Sequence, residues 1–321
     1  MTAQCLISFG SNLGRRASLL ADAARQVARS GLAKDFAASR LFQTPPIGGP
    51  GGQEPFLNAV AAFETEASAR EILDFLQVTE QRLGRLRNRR WDARSIDLDV
   101  VLHGDLVGGD SLLVVPHPRY PARRFVLQPA CDVAAHYRDP RFGWTIRDLA
   151  DHVEQDQPSL ALAGGDHELR RLICDRLTSE HGIATFAIER SPHQIGVIAN
   201  VPKGFAGHET AAGGITEASS VDARQVVPTV PWVCDDLPAR NASDESDWIG
   251  VLRPRLIARI QRVTAESAWP APHQMWPKSW KYPQYRLEVD DIDWAIGEVA
   301  SALDSMRCPC DPVTDDGGWW A

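Results

Sequence analysis

Asp97 and Asp99 lie two residues apart in the segment Ser95-Ile96-Asp97-Leu98-Asp99-Val100-Val101-Leu102-His103. That segment alternates and then runs apolar, which predicts a strand over 95–103. Residues i and i+2 of a strand share a face, so both carboxylates project together while Ile96, Leu98 and Val100 pack behind them. Two carboxylates held side by side repel each other unless a cation sits between them. Mg²⁺ suits the place, as a hard ion held by one or two carboxylates plus phosphate oxygens. A bare pair of this kind is more often a solvated strand face, so the flanking residues decide. Residues 82–94 (RLGRLRNRRWDAR) carry six arginines, at 82, 85, 87, 89, 90 and 94, and the planar guanidinium fork matches phosphate. Arg82 and Arg89 equally suit a solvated helix end, where positive charge complements the dipole, and Trp91 could equally be a core anchor. Downstream stand Pro116-His117-Pro118-Arg119 and Arg123-Arg124-Phe125, with two prolines fixing the backbone around His117. Paired carboxylates beside an arginine-rich loop form the layout of a phosphoryl-transfer site.

The elements that must position these groups are legible along the first half of the chain. Residues 3–9 (AQCLISF) form a short apolar run that enters the turn Gly10-Ser11-Asn12, which predicts a strand. Residues 16–30 repeat apolar positions at helical spacing, and Gly31 supplies the stop. A strand is predicted over 36–43. The stretch 44–55 (TPPIGGPGGQEP) holds four Gly and four Pro, so it is a loop that its neighbours must hold. Residues 56–64 (FLNAVAAFE) predict another strand. Residues 68–84 predict a helix, with Ser68 as N-cap and Glu71 at the capping-box position. A further helix or turn falls at 121–128. The order β-α-β-β-α-β suggests an α+β, ferredoxin-like sandwich with helices on one face of an antiparallel sheet.

Composition bounds the function. With 321 residues the chain predicts about two domains. Charge separates them: residues 1–158 carry 19 basic and 19 acidic side chains, and residues 159–321 carry 15 and 23. The expected division is 1–157 and 158–321. No basic face speaks for nucleic acid, and no run approaches the ~20 apolar residues of a membrane helix. The N-terminus has no signal-peptide pattern, so six scattered cysteines are expected to be reduced thiols in a cytoplasm.

Taken together, the motifs resemble those of the 6-hydroxymethyl-7,8-dihydropterin pyrophosphokinase family over residues 3–150. They are Phe9-Gly10-Ser11-Asn12-Leu13, Thr44-Pro45-Pro46, Phe56-Leu57-Asn58-Ala59, Gly84-Arg85-Leu86-Arg87, Arg90-Trp91, Arg94-Ser95-Ile96-Asp97-Leu98-Asp99 and Pro116-His117-Pro118-Arg119. The resemblance implies transfer of pyrophosphate from ATP, the co-substrate, to the hydroxymethyl group of the reduced pterin, with release of AMP, in folate biosynthesis. It implies two Mg²⁺ ions on Asp97 and Asp99, with Arg85 and Arg94 stabilising charge during transfer. Gln77, Glu80, Arg87, Trp91, Arg94, His117 and Arg123 would line the ATP side. Thr44, Pro45, Pro46, Phe56, Asn58 and Phe125 would form the pterin pocket, where aromatic faces suit a flat heterocycle. Partners are then small molecules, ATP and the pterin. Asp92-Ala93 stand where the family usually has Gly-Pro, and Phe56 where Tyr is common. A binder that has lost catalysis, or a second activity in the second domain, are the rival readings.

The second domain is predicted as α/β. An apolar run at 159–165 ends in Gly164-Gly165, a helical stretch follows at 166–180 and an apolar segment at 183–188. A phosphate-binding GxxxxGK(S/T) loop would need the lysine and hydroxyl residue that Gly165-Asp166-His167-Glu168-Leu169-Arg170-Arg171 lacks. A degenerate relative of the nucleoside kinases or a plain α/β domain both fit. Asp290, Asp291 and Asp293 suit the N-terminus of a closing helix. The tail from Cys308 to Ala321 reads as frayed.

Overall fold

The computed structural model describes residues 2–49, 51–85, 94–110, 112–190, 195–200, 220–221, 229–237, 252–262 and 281–321. Among them, residues 2–151 and 307–321 form one compact unit, and the residues between 152 and 306 form a second. No helix among the described residues is long and apolar enough to cross a membrane.

The first unit is built on β1 (Ala3–Ser11), β2 (Lys34–Ala38), β3 (Phe42–Thr44), β4 (Phe56–Thr65) and β5 (Asp97–His103). The central strand β1 runs antiparallel to β4, from Ala3 opposite Thr65 to Ser11 opposite Leu57, and antiparallel to β5, with a register shift between Leu6 and Ile7. Both β2 and β3 pair with β4. The strand expected over 36–43 is therefore two strands, broken at Ser39, whose hydroxyl accepts from the Val60 amide at 3.0 Å. Helix α1 (Arg16–Ala28) and helix α2 (Ala69–Arg82) put Leu20, Ala24, Val27, Ile72 and Leu76 into one core with Cys5, Ile7, Phe9, Ala59, Ala61, Phe63 and Leu98. Full burial of each large side chain here contributes about 1.5–3 kcal/mol. The Ser68–Glu71 capping box is present at the start of α2.

Helices do not stay on one face. The intervening residues Leu6, Val60, Ala62 and Val101 are buried as well, and α3 (Arg124–Ala134) packs on β1, β3 and β4. A strand such as β4 that is apolar on both sides needs cover on both sides, which the helix-on-one-face expectation missed. Between β5 and α3 lie the short hairpin β6 (Gly108–Gly109) and β7 (Val114–Val115) and a turn of 3₁₀ helix at Tyr120–Ala122.

The last residues are not frayed. Strand β15 (Asp311–Pro312) pairs antiparallel with β3, so the sheet order is β15-β3-β4-β1-β5. Trp319 meets Phe9 edge-on with ring centroids 6.4 Å apart, and Trp320 meets Phe36 edge-on at 5.0 Å.

The second unit follows helix α4 (Ile146–Glu154) and, among the described residues, has a seven-stranded mixed sheet. Its strands are β8 (Ser159–Ala163), β9 (Ala184–Arg190), β10 (Ile195–Asn200), β11 (Ser220–Val221), β12 (Trp232–Cys234), β13 (Leu256–Arg262) and β14 (Gln284–Val289). The order is β11-β10-β9-β12-β8-β13-β14. The five strands from β9 to β14 in that order are parallel, and β10 and β11 add an antiparallel edge. Helix α5 (His167–His181) is capped by Asp166 and ends at Gly182, whose φ of 64° is left-handed. Helix α6 (Ile292–Arg307) starts where the Asp291 carboxylate accepts from the amides of Asp293 and Trp294 at 2.8 and 3.1 Å, which is the structural role expected of that acidic cluster.

Candidate active site

The site grows from the sheet register. Asn58 of β4, Gly10 of β1 and Asp97 of β5 lie side by side in one row, and Ser8 pairs with Asp99 in the next row on that face. Asp97 and Asp99 do share a face, with side-chain exposures of 20% and 35%, while Ile96, Leu98 and Val100 are buried. Gly10 sits at a close approach: a Cβ there would lie a tight 3.3 Å from Asn58 Oδ1, and at ordinary contact distance from Asp97 Cβ (3.9 Å) and Phe56 Cδ1 (4.0 Å). The amide, the aromatic ring and the acidic strand all come near this point.

Positive charge converges on the two carboxylates. Arg85 Nη1 lies 2.8 Å from Asp97 Oδ1 and Arg94 Nη1 lies 2.5 Å from Asp97 Oδ2. Asp99 is approached less closely, by Arg123 Nη1 at 3.8 Å and His117 Nε2 at 3.9 Å. Glu80 is 2% exposed; it also pairs with Arg85, and its Oε1 accepts from the Leu98 amide at 2.8 Å. Burial pushes the Glu80 carboxyl up to about 7, against the opposing pull of Arg85 and the Leu98 amide. Burial, reinforced by Arg123 and Arg119, holds the His117 imidazole well below its ordinary value. His117 is therefore neutral. Its Nδ1 accepts from the Arg119 amide at 3.2 Å, which puts the proton on Nε2, the atom facing Asp99.

Of the expected pterin residues, Thr44, Phe56 and Asn58 share that face. Asn58 donates from Nδ2 to Thr44 Oγ1 at 2.8 Å, and both are buried. Phe56 and Phe125 are half-buried, Pro45 is exposed and Pro46 half-buried. The Arg123 guanidinium stands 5.7 Å over the Phe125 ring, which joins that residue to the group of side chains around Asp99. Gln77 lies on α2 one turn before Glu80 and is half-buried. Arg87 and Trp91 lie outside the described residues, as do Asp92 and Ala93.

Two groups went unread in the sequence. Asn12, fully buried, accepts from the Arg94 amide at 2.7 Å and donates to Gln53 Oε1 at 3.0 Å and Glu54 O at 3.4 Å. It ties the Gly/Pro loop to the segment carrying Arg94, while Ser11 Oγ donates to Ser95 O at 2.6 Å. Its place directly after β1 signalled a turn, and the Phe9–Leu13 motif contained it without giving it a role. Behind His117, the Tyr120 hydroxyl donates to Asp139 Oδ2 at 2.6 Å and Arg141 Nη2 reaches the same atom at 2.5 Å, all buried. No sequence signal linked these three residues.

Oxygen donors alone, on one strand face and open to solvent on one side, suit Mg²⁺ carrying phosphate ligands. Among the described residues no group of three or more His, Cys, Asp or Glu side chains gathers to hold a metal.

Residues 6–135 match the family model of 7,8-dihydro-6-hydroxymethylpterin-pyrophosphokinase. A 2-amino-4-hydroxy-6-hydroxymethyldihydropteridine pyrophosphokinase of Methylorubrum extorquens is 38% identical over 128 residues, covering 40% of this chain and 80% of that protein. One of Haemophilus influenzae is 33% identical over 149 residues, covering 46% and 92%. Among solved structures, an HPPK-DHPS in complex with substrates aligns over half of each chain at 11% identity with a TM-score of 0.39.

Proposed function

The chain belongs to the 7,8-dihydro-6-hydroxymethylpterin-pyrophosphokinase family, and from that premise we propose how its first unit performs the transfer. The reaction is that of folate biosynthesis: pyrophosphate passes from ATP to the hydroxymethyl group of the reduced pterin. The observation that carries the assignment to particular residues is the convergence of Arg85, Arg94, Arg123 and His117 on two carboxylates that share one strand face.

Asp97 and Asp99 would hold the metal, two Mg²⁺ ions in this reading. The metal would neutralise the triphosphate and favour in-line attack on its β-phosphorus. Arg85 and Arg94, both within reach of Asp97, stabilise negative charge as the bridging bond breaks. Glu80 works through Arg85: its buried carboxylate fixes the guanidinium on one side and the backbone of β5 on the other. Gln77, Arg87, Trp91, His117 and Arg123 belong to the nucleotide side. Neutral His117 donates from Nε2 toward the Asp99 side of the site, and so offers a hydrogen bond to a phosphate oxygen without adding charge. Thr44, Pro45, Pro46, Phe56, Asn58 and Phe125 form the pterin side, with Gly10 keeping clear the ground between Asn58 and Asp97. The strand order β3-β4-β1-β5 with α1 and α2 on one face supports the ferredoxin-like arrangement of this unit.

AMP release by the full-length protein with ATP, Mg²⁺ and 6-hydroxymethyl-7,8-dihydropterin tests the reading. AMP formed only when the pterin is present supports it. Binding of both substrates without AMP would make the protein a binder instead.

A further inference from the structure

The C-terminal segment, residues 307–321, supports the elements that carry the pterin side. Strand β15 pairs with β3, Asp311 opposite Gln43 and Pro312 opposite Phe42. The Val313 amide donates to Leu41 O at 2.8 Å, and the Leu41 amide donates to Thr314 Oγ1 at 2.9 Å. Trp319 Nε1 donates to Ser39 O at 2.7 Å. Gly317 lies so tightly against Ala38 that a Cβ would be driven into the Ala38 carbonyl oxygen, although its φ of −85° is one any residue adopts. The same segment reaches α3 and α1. Arg124 Nη1 donates to Cys308 O at 3.0 Å, and Arg25 Nη1 donates to Trp320 O at 2.9 Å.

These contacts converge on residues next to the pterin side. Strand β3 ends at Thr44, whose hydroxyl orients the Asn58 amide, and Thr44 pairs with Phe56. Arg124 immediately precedes Phe125. Trp319 packs on Phe9, which immediately precedes Gly10. Strand β5, with Asp97 and Asp99, lies at the other edge of the sheet from β15. A three-residue edge strand leading into a Gly/Pro loop has little to hold it by itself, and here a strand from the end of the chain supplies its outer partner.

We propose that residues 307–321 are a positioning element for pterin binding, fixing Thr44 and Asn58 through β3 and Phe125 through the start of α3. The proposal rests on the reading that these residues take the pterin. It sets apart substrate affinity on the pterin side from the metal and nucleotide chemistry at β5.

The test is steady-state kinetics of full-length Gly317→Ala and Trp319→Ala, with circular dichroism to confirm folding. The expected result is a KM for the pterin raised about tenfold, with kcat and the KM for ATP within about twofold of wild type. Trp319→Phe keeps the ring on Phe9 and is expected to restore part of the pterin KM. A folded variant with an unchanged pterin KM overturns the proposal. So does a fall in kcat with both KM values unchanged, which reads as loss of folded enzyme only. Should Gly317→Ala not fold, Thr314→Val removes one acceptor at the β3 edge and reads the same split. Absence of pterin-dependent AMP from the wild type would overturn the functional reading itself, and the proposal with it.

Discussion

The first unit's β5 and the second unit's junction after β8 treat charge in opposite ways. At β5, Asp99 is a third exposed, and among the described residues the Arg123 guanidinium and the neutral His117 ring approach it only to 3.8 and 3.9 Å, beyond direct hydrogen-bond distance. At the Gly164-Gly165 turn, Arg170 donates to Gly164 O at 3.0 Å, Gly165 O at 3.1 Å and Asp235 O at 2.6 Å. An anion-binding turn presents amide N–H groups to its ligand, whereas this one turns carbonyls toward an arginine of the same chain. Gly164 has a φ of 80° and packs against Ile260 O, where a Cβ would come within 3.0 Å. The strand–glycine–helix pattern is here packed against β13 and bonded by an arginine of its own helix. Strands followed by glycine-rich turns are common to many folds; the difference between a site and a joint lies in whether its charges are already consumed by the backbone.

Replacing the carboxylates breaks the comparison most sharply. Asp97→Asn or Asp99→Asn is expected to lower kcat by about 10³-fold, since each removes a proposed metal ligand, with the fold intact by circular dichroism. Wild-type turnover in both variants would reduce β5 to a solvated strand.

The second unit should show its own charge through stability. Burial, helped by Arg255, lowers the His152 imidazole to about 4, and its ring lies 2.9 Å from Arg255 O and 3.3 Å from the Tyr282 hydroxyl. The unfolded chain binds this proton near pH 6.5 and the folded one only near 4, so folding favours the neutral ring. The contribution is complete above about pH 6.5 and is lost as pH falls toward 4, in total about 3 kcal/mol. Thermal unfolding of wild type and His152→Gln should therefore converge as pH falls from 7 to 5. A constant difference in stability would remove His152 from the account.

A smaller effect sharpens the contrast. Arg170→Ala strips three carbonyls of a donor and should cost about 1–3 kcal/mol of stability, while pterin-dependent AMP release stays within about twofold. A large fall in kcat with the fold retained would mean that this junction takes part in the reaction.

Where the apolar period was long, local chemistry made the structure legible. The Ser68–Glu71 box, the strands around Phe9 and Asn58, and the period-two spacing of Asp97 and Asp99 all match their expected elements. In the second unit, β8, α5 and β9 fall where the apolar runs and glycines placed them. The order of its strands was not legible, because neighbours in a parallel sheet are distant in sequence. The same reason hid the tail: Asp311 and Pro312 have no periodicity, and half-buried Trp319 packs against Phe9 and Ser39, which lie 310 and 280 residues earlier. Asn12 was visible as a turn residue, but its partners at Gln53, Glu54 and Arg94 come together only through the sheet.

The most direct measurement is a Mn²⁺ titration of the full-length protein, followed by electron paramagnetic resonance in the presence of a non-hydrolysable ATP analogue. The account predicts two bound ions for wild type and a clear loss of bound metal in Asp97→Asn and Asp99→Asn at unchanged fold. Equal occupancy in wild type and both variants would contradict it, because the carboxylates at β5 would then not be what holds the metal.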